Sequence, residues 1–175
     1  MRMDSNTKLE QLILGSCKYD HDAFRSIFDL YVDQLFNYAL SRTNDREAAK
    51  DITQDTFIAI WESLDSFEYK GDAAFLGFMF VILKRKIVGH YKKSAKERSV
   101  RQEVVIEPHT TNSEETHDLL LALRNLSSKY QEVLKLRYWG DLSFAEIGET
   151  LGIQENTARI LHYRAVKKLQ KVVEV

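Results

Sequence analysis

Arg159, Tyr163 and Lys167 recur at steps of four residues, with Arg164 and Lys168 beside them. One side of a helix would therefore carry a row of cations and a phenol. Laid in the major groove, such a row donates to base edges and phosphates. Asn156 and Thr157, near the start of the same stretch, add short polar groups. The opposite side, Ala158, Leu161, Ala165 and Leu169, is apolar. A basic amphipathic helix alone is more often a solvated face whose last cations suit the helix dipole. What precedes it decides between the two. Ser143 followed by Glu146 has the spacing of a capping box, so a helix starts there. Ile147 and Leu151 give that helix an apolar side, Gly148 lets a second helix come close, and Gly152 accepts the positive φ on which helices end. The pattern is a helix-turn-helix, and it predicts contact with duplex DNA.

A second basic block lies between Lys84 and Arg101, where eight Lys/Arg face only Glu97. From Gln102 to Asp118 there are five acids and no Lys/Arg, and from Arg159 onward five Lys/Arg face one acid. The net charge of −1 thus hides two basic surfaces separated by an acidic stretch. Both fit nucleic acid.

Other chemistry is poorly represented. There is no phosphate-binding glycine loop, no Cys/His cluster at zinc spacing and no nucleophile–base pair. His21, His90, His109, His117 and His162 are scattered, and the lone Cys17 reads as a structural thiol. The expectation is a non-enzyme with no metal and no cofactor. No apolar run approaches the ~18 residues of a membrane span, and the first residues lack the apolar core of a signal peptide, so the cytoplasm is expected.

One Pro and seven Gly punctuate 175 residues, and apolar residues recur at helical spacing almost throughout. The fold expected is all-α. Helices are predicted from about Thr7 to Gly15, from Asp22 to Arg42 and from Arg46 to Leu64, the last capped by Asn44-Asp45. The second should bury Phe24, Ile27, Phe28, Tyr31, Leu35, Phe36 and Tyr38. A loop over Asp65–Asp72 precedes a further helix from Ala73 to about Ser94. Residues 97–117, with Pro108, read as a flexible tether between a domain over 1–96 and a smaller one over 118–175.

Two segments narrow the function by family likeness. Leu119 to Ser143, with Gln131-Glu132-Val133 and Arg137-Tyr138 leading into the helix-turn-helix, resembles region 4 of extracytoplasmic-function (ECF) sigma factors. Arg46 to Trp61 resembles region 2.2 of the same family in Asp51, Gln54-Asp55-Thr56-Phe57 and Trp61, and Phe67 to Met79 resembles the start of its regions 2.3 and 2.4. Departures are Leu126-Ser127 for the usual leucine-proline break, Asp55 for a usual glutamate, Phe78 for a common tryptophan and Arg85 for a common asparagine.

The resemblance implies a sigma factor that binds core RNA polymerase, reads the −10 and −35 promoter elements and helps melt the DNA. It implies that Asp51, Gln54, Asp55 and Ile58 grip the clamp helices of the polymerase's largest subunit, and that the flap region is a second polymerase contact. It assigns the −10 strand to Lys70, Gly71, Asp72 and Phe75 of the loop and to Lys84, Arg85, Lys86, His90, Lys92 and Lys93 of the helix. It assigns the −35 duplex to Asn156, Thr157, Arg159, Tyr163, Arg164, Lys167 and Lys168. A monomer without direct membrane binding is expected, restrained by an anti-sigma factor that is often membrane-anchored. The rival reading is a conventional dimeric helix-turn-helix regulator, which leaves the Arg46–Trp61 and Lys84–Lys93 segments unexplained.

Overall fold

A computed structural model describes residues 5–16, 20–100, 123 and 125–173. Among them are seven α-helices, one 3-10 turn and no strand. The helices are α1 (Ser5–Ser16), α2 (His21–Thr43), α3 (Arg46–Ser63), α4 (Asp72–Val100), α5 (Ser128–Tyr138), α6 (Phe144–Leu151) and α7 (Glu155–Val173). Cys17, His109, His117, Leu119 and most of the expected tether lie outside the described residues.

Short polar side chains set the helix ends. Asp20 Oδ1 accepts from the backbone N–H groups of Asp22 and Ala23 at 3.0 and 3.1 Å, which starts α2. Asn44, in the left-handed region at φ 53°, ends α2 by donating its N–H to the Leu40 carbonyl. Asp45 then caps α3 through the N–H groups of Glu47 and Ala48. Each such cap satisfies donors a helix cannot satisfy internally, for about 1 kcal/mol.

Helices α1 to α4 form one bundle around Ile13, Ile27, Leu35, Tyr38, Ile60, Leu64, Phe75, Met79 and Phe80, all essentially inaccessible. Helices α5 to α7 form the second, smaller one around Val133, Leu134, Leu136, Ile147, Ala158 and Ala165. The bundles are docked. Val133, Leu136, Leu142, Ile147 and Ala158 belong to the same continuous apolar cluster as the core of the first bundle. The seam is made chiefly by α4 against α6. Gly77 permits it: a Cβ built there would lie 2.8 Å from the Cβ of Glu149.

Two expectations need correction. Helix α4 does not end near Ser94 but continues to Val100, so residues 97–100 are helix rather than tether. Phe28, expected on the buried face of α2, is 38% exposed and covers Phe57 from outside, with ring centroids 4.6 Å apart.

Candidate nucleic-acid interface

Three faces carry the residues singled out above. On α3, Ala48, Ala49, Ile52, Thr53, Thr56, Phe57 and Ile60 turn into the core. Thr53 and Thr56 satisfy their buried hydroxyls by donating to the carbonyls of Ala49 and Ile52 at 2.7 and 2.6 Å. That leaves Asp51, Gln54, Asp55 and Ile58 together on the outside, with Ile58 half exposed. An outward row of two carboxylates, an amide and an aliphatic group suits a basic, partly apolar partner helix. Phe57 serves the core, and Trp61 packs edge-on against Phe24 and stacks on His21.

The second face runs along α4. Arg85, Lys92 and Lys93 are exposed, while Lys84, Lys86 and His90 are half-buried. Between the cations lies a shallow groove of about 490 Å³ lined by Val81, Lys84, Arg85, Val88, Gly89 and Lys92. Sequence reasoning missed Val81, Val88 and Gly89. Their spacing with Lys84 and Lys92 does mark one helix side, but the run's charge drew attention from its apolar members. Cations ranged along one groove can follow the phosphates of an unpaired strand.

The loop before α4 departs from expectation at one residue. Phe75, assigned to the −10 strand, is fully buried and packs against Phe67 and Tyr31 at centroid distances of 5.4 and 6.2 Å. It anchors the loop to the bundle and offers no face to a base in this arrangement. Lys70 is exposed beside Glu68, Gly71 adopts φ +108°, and Asp72 accepts a 2.5 Å hydrogen bond from the Tyr69 hydroxyl. Tyr31, beneath the loop, is pushed up to about 12 by burial and then by the nearby Asp72 and Glu146 carboxylates. It is a neutral packing phenol.

The third face is the helix-turn-helix. Ser143 Oγ accepts from the N–H of Glu146, and the Glu146 carboxylate accepts from the N–H of Ser143 at 2.6 Å, so the capping box is complete. Gly152 ends α6 at φ 66°, and at Gly148 a Cβ would meet the Ile153 carbonyl at 2.8 Å. Ala158 and Ala165 are buried. Asn156, Thr157, Arg159, Tyr163, Arg164, Lys167 and Lys168 are all exposed, as the spacing predicts. Arg159 is held by Glu155 at 2.6 Å and lies over the Phe144 ring, so it starts from a fixed position. Tyr138, 63% exposed, extends this face and bonds His162 Nε2 at 3.2 Å. Burial, and secondly the Arg137 charge, hold His162 below its usual pKa. A neutral imidazole results.

Lys84 has a second engagement, across the seam. Its ammonium lies 3.0 Å from the Glu132 carboxylate of α5, which also takes Arg42 at 2.9 Å and the Tyr38 hydroxyl at 2.8 Å. Lys135 adds a bond to the Ser41 carbonyl, and Gln34 one to the Asp141 carbonyl.

Fold and faces define an all-helical protein of two docked bundles, the second a helix-turn-helix. Residues 27–97 match the family described as Sigma-70 region 2, and residues 116–169 match Sigma-70, region 4. Among relatives, the ECF RNA polymerase sigma factor BldN of Streptomyces coelicolor is 27% identical over 96% of this chain and 67% of its own length. The ECF RNA polymerase sigma factor SigW of Bacillus subtilis is 25% identical over 98% of this chain and 97% of its own. The structure of CnrH in complex with the cytosolic domain of CnrY superposes with a TM-score of 0.70 at 20% identity, over 95% of this chain and 97% of that one. The sigma factor RpoE of Bartonella quintana, solved with the anti-sigma factor NepR, gives 0.62 at 25% identity, over 87% and 97%. The chain belongs to the ECF group of the sigma-70 family and is an RNA polymerase sigma factor. No helix among the described residues is long and apolar enough to cross a membrane.

Proposed function

We propose that the chain brings core RNA polymerase to promoters by using its three outward faces together. Asp51, Gln54, Asp55 and Ile58 dock on the clamp helices of the largest subunit, and the second bundle meets the flap region. Lys70, Gly71 and the α4 groove hold the unpaired −10 strand, with Arg85, Lys86, Lys92 and Lys93 on its phosphates. Arg159, Tyr163 and Arg164 enter the −35 major groove, while Asn156, Thr157, Lys167 and Lys168 fix its register. Melting draws on the binding energy of the unpaired strand, so the sigma factor itself catalyses no step. The protein works in the cytoplasm, and an anti-sigma factor is a natural partner, as the complex of RpoE with NepR illustrates.

The observation that carries this reading is the division of α4, with an apolar side built into the core and a cation-rimmed apolar groove facing out. Val88, half exposed among Lys84, Arg85 and Lys92, gives that outer side an apolar floor with a cationic rim. Run-off transcription with core polymerase on a promoter library tests it. Promoter-specific transcripts that depend on the chain are expected. A chain that neither binds core nor confers specific starts contradicts the assignment.

A further inference from the structure

We propose that Glu132 acts as an internal stand-in for a promoter phosphate, so that docking of the two bundles and capture of the −10 strand compete for the Lys84 ammonium. This rests on the reading of α4 as the strand-binding face. The donors gathered on the carboxylate are a guanidinium at 2.9 Å, an ammonium at 3.0 Å and a hydroxyl at 2.8 Å. That is a set with which proteins hold phosphate oxygens. Only the acceptor comes from the second bundle, on α5; all three donors come from the first, on α2 and α4.

Lys84 sits on a boundary. It lines the outer α4 groove with Val88 and Lys92, and it also lines a cavity of about 630 Å³ at the seam with Arg42, Glu132, Thr157 and Leu161. Its ammonium serves one side or the other. Glu132 itself is only 15% exposed, so little solvent competes with its three donors. Scale points the same way. A compact chain of this length has a radius of gyration near ~16 Å. The −10 and −35 elements lie about 25 base pairs apart, or ~85 Å at 3.4 Å per pair. The docked arrangement is too short to touch both. Opening the seam is therefore part of promoter binding, and it leaves Lys84 and Arg42 without their carboxylate just when phosphates become available.

Gly77 offers a way to open the seam without touching a charge. A methyl there would lie 2.8 Å from Glu149 Cβ and 3.3 Å from its backbone carbon, so α4 and α6 must part. Alanine is also the better helix former, so α4 is not weakened by the change.

The test uses the full chain, a fluorescein-labelled single-stranded DNA of about 12 nucleotides read by anisotropy, and small-angle scattering for the radius of gyration. Glu132→Gln and Gly77→Ala are each expected to enlarge the radius and to tighten strand binding about tenfold. Gly77→Ala carries the test alone if the Glu132 variant fails to fold. Opening without tighter binding overturns the proposal, and so does an unchanged radius in every folded variant. A gain confined to Glu132→Gln, with Gly77→Ala open but no tighter, also overturns it, because simple loss of negative charge then explains the effect. Lys92→Gln separates this from the underlying reading, since Lys92 lies on the α4 groove and is not bonded to Glu132. Strand binding indifferent to Lys92→Gln removes α4 as the strand site. Binding weakened by Lys92→Gln but indifferent to the other two changes removes only the competition.

Discussion

Asp51 and Asp55 are one helical turn apart and both exposed, while the residues between them on the other side of α3 are buried. Reversing their charge should therefore leave the bundle intact and strike only what docks there. The double variant Asp51→Lys and Asp55→Lys is expected to lose core-polymerase binding in a gel-shift assay while keeping its affinity for −35 duplex; unchanged core binding would remove α3 as the docking face. Arg159 is held in place by Glu155 and Phe144 and is ready for a base or phosphate. Arg159→Ala should weaken −35 duplex binding by about 1–3 kcal/mol if it reads a base, relaxing specificity at one position. Anisotropy titrations against single-base variants of the site would show it. At this scale the residue types were legible in the sequence where a helix has one buried and one open side, as on α3 and α7. They misled at Phe75, because an aromatic beside a glycine loop has the same signature whether it faces a base or the core.

Among the helices, the second bundle was the most readable part of the chain. Ser143 with Glu146, and Gly152, are local chemistry that needs no distant partner, and all three do what their spacing predicts. Ser143→Ala should lower the stability of the second bundle by about 1 kcal/mol through the lost cap. Gly152→Ala should cost about as much or more, because a Cβ is strained at φ 66°. Urea melts followed by circular dichroism check both, and midpoints within error of wild type would contradict the capping argument. The end of α4 was misjudged for an equally local reason. Its composition shifts near Ser94, but Lys, Ala, Glu and Arg are good helix formers, and no Gly or Pro intervenes between Gly89 and Pro108. A change of charge is not a helix stop.

Over the whole molecule, the seam was invisible in the sequence. Glu132 reads as one more polar residue on an amphipathic helix, and its partners stand 48 to 94 positions away, a distance that leaves no periodic trace. Its electrostatics yield a pH prediction. Burial alone would raise the Glu132 pKa, but the charge and hydrogen bond of Lys84, the Tyr38 hydroxyl and Arg42 outweigh it, and the carboxyl is held below its ordinary 4.5. A depressed folded-state pKa contributes stability above the unfolded value, and that contribution is lost as pH falls through the folded one. The stability gap between wild type and Glu132→Gln should thus be full above the ordinary 4.5 and narrow as pH falls below it. Paired urea midpoints near pH 6 and near pH 3 measure it, and a gap that does not change would contradict the assigned role.

The central claim is that one chain serves polymerase, unpaired strand and upstream duplex at once. Footprinting of its complex with core polymerase on a promoter tests this most directly, using DNase for duplex contacts and permanganate for unpaired thymines. The account predicts a protected upstream block and, about 25 base pairs downstream (~85 Å along the duplex), permanganate-reactive thymines that vanish without the chain. Upstream protection that forms equally well without polymerase, with no reactive thymines downstream, would contradict it.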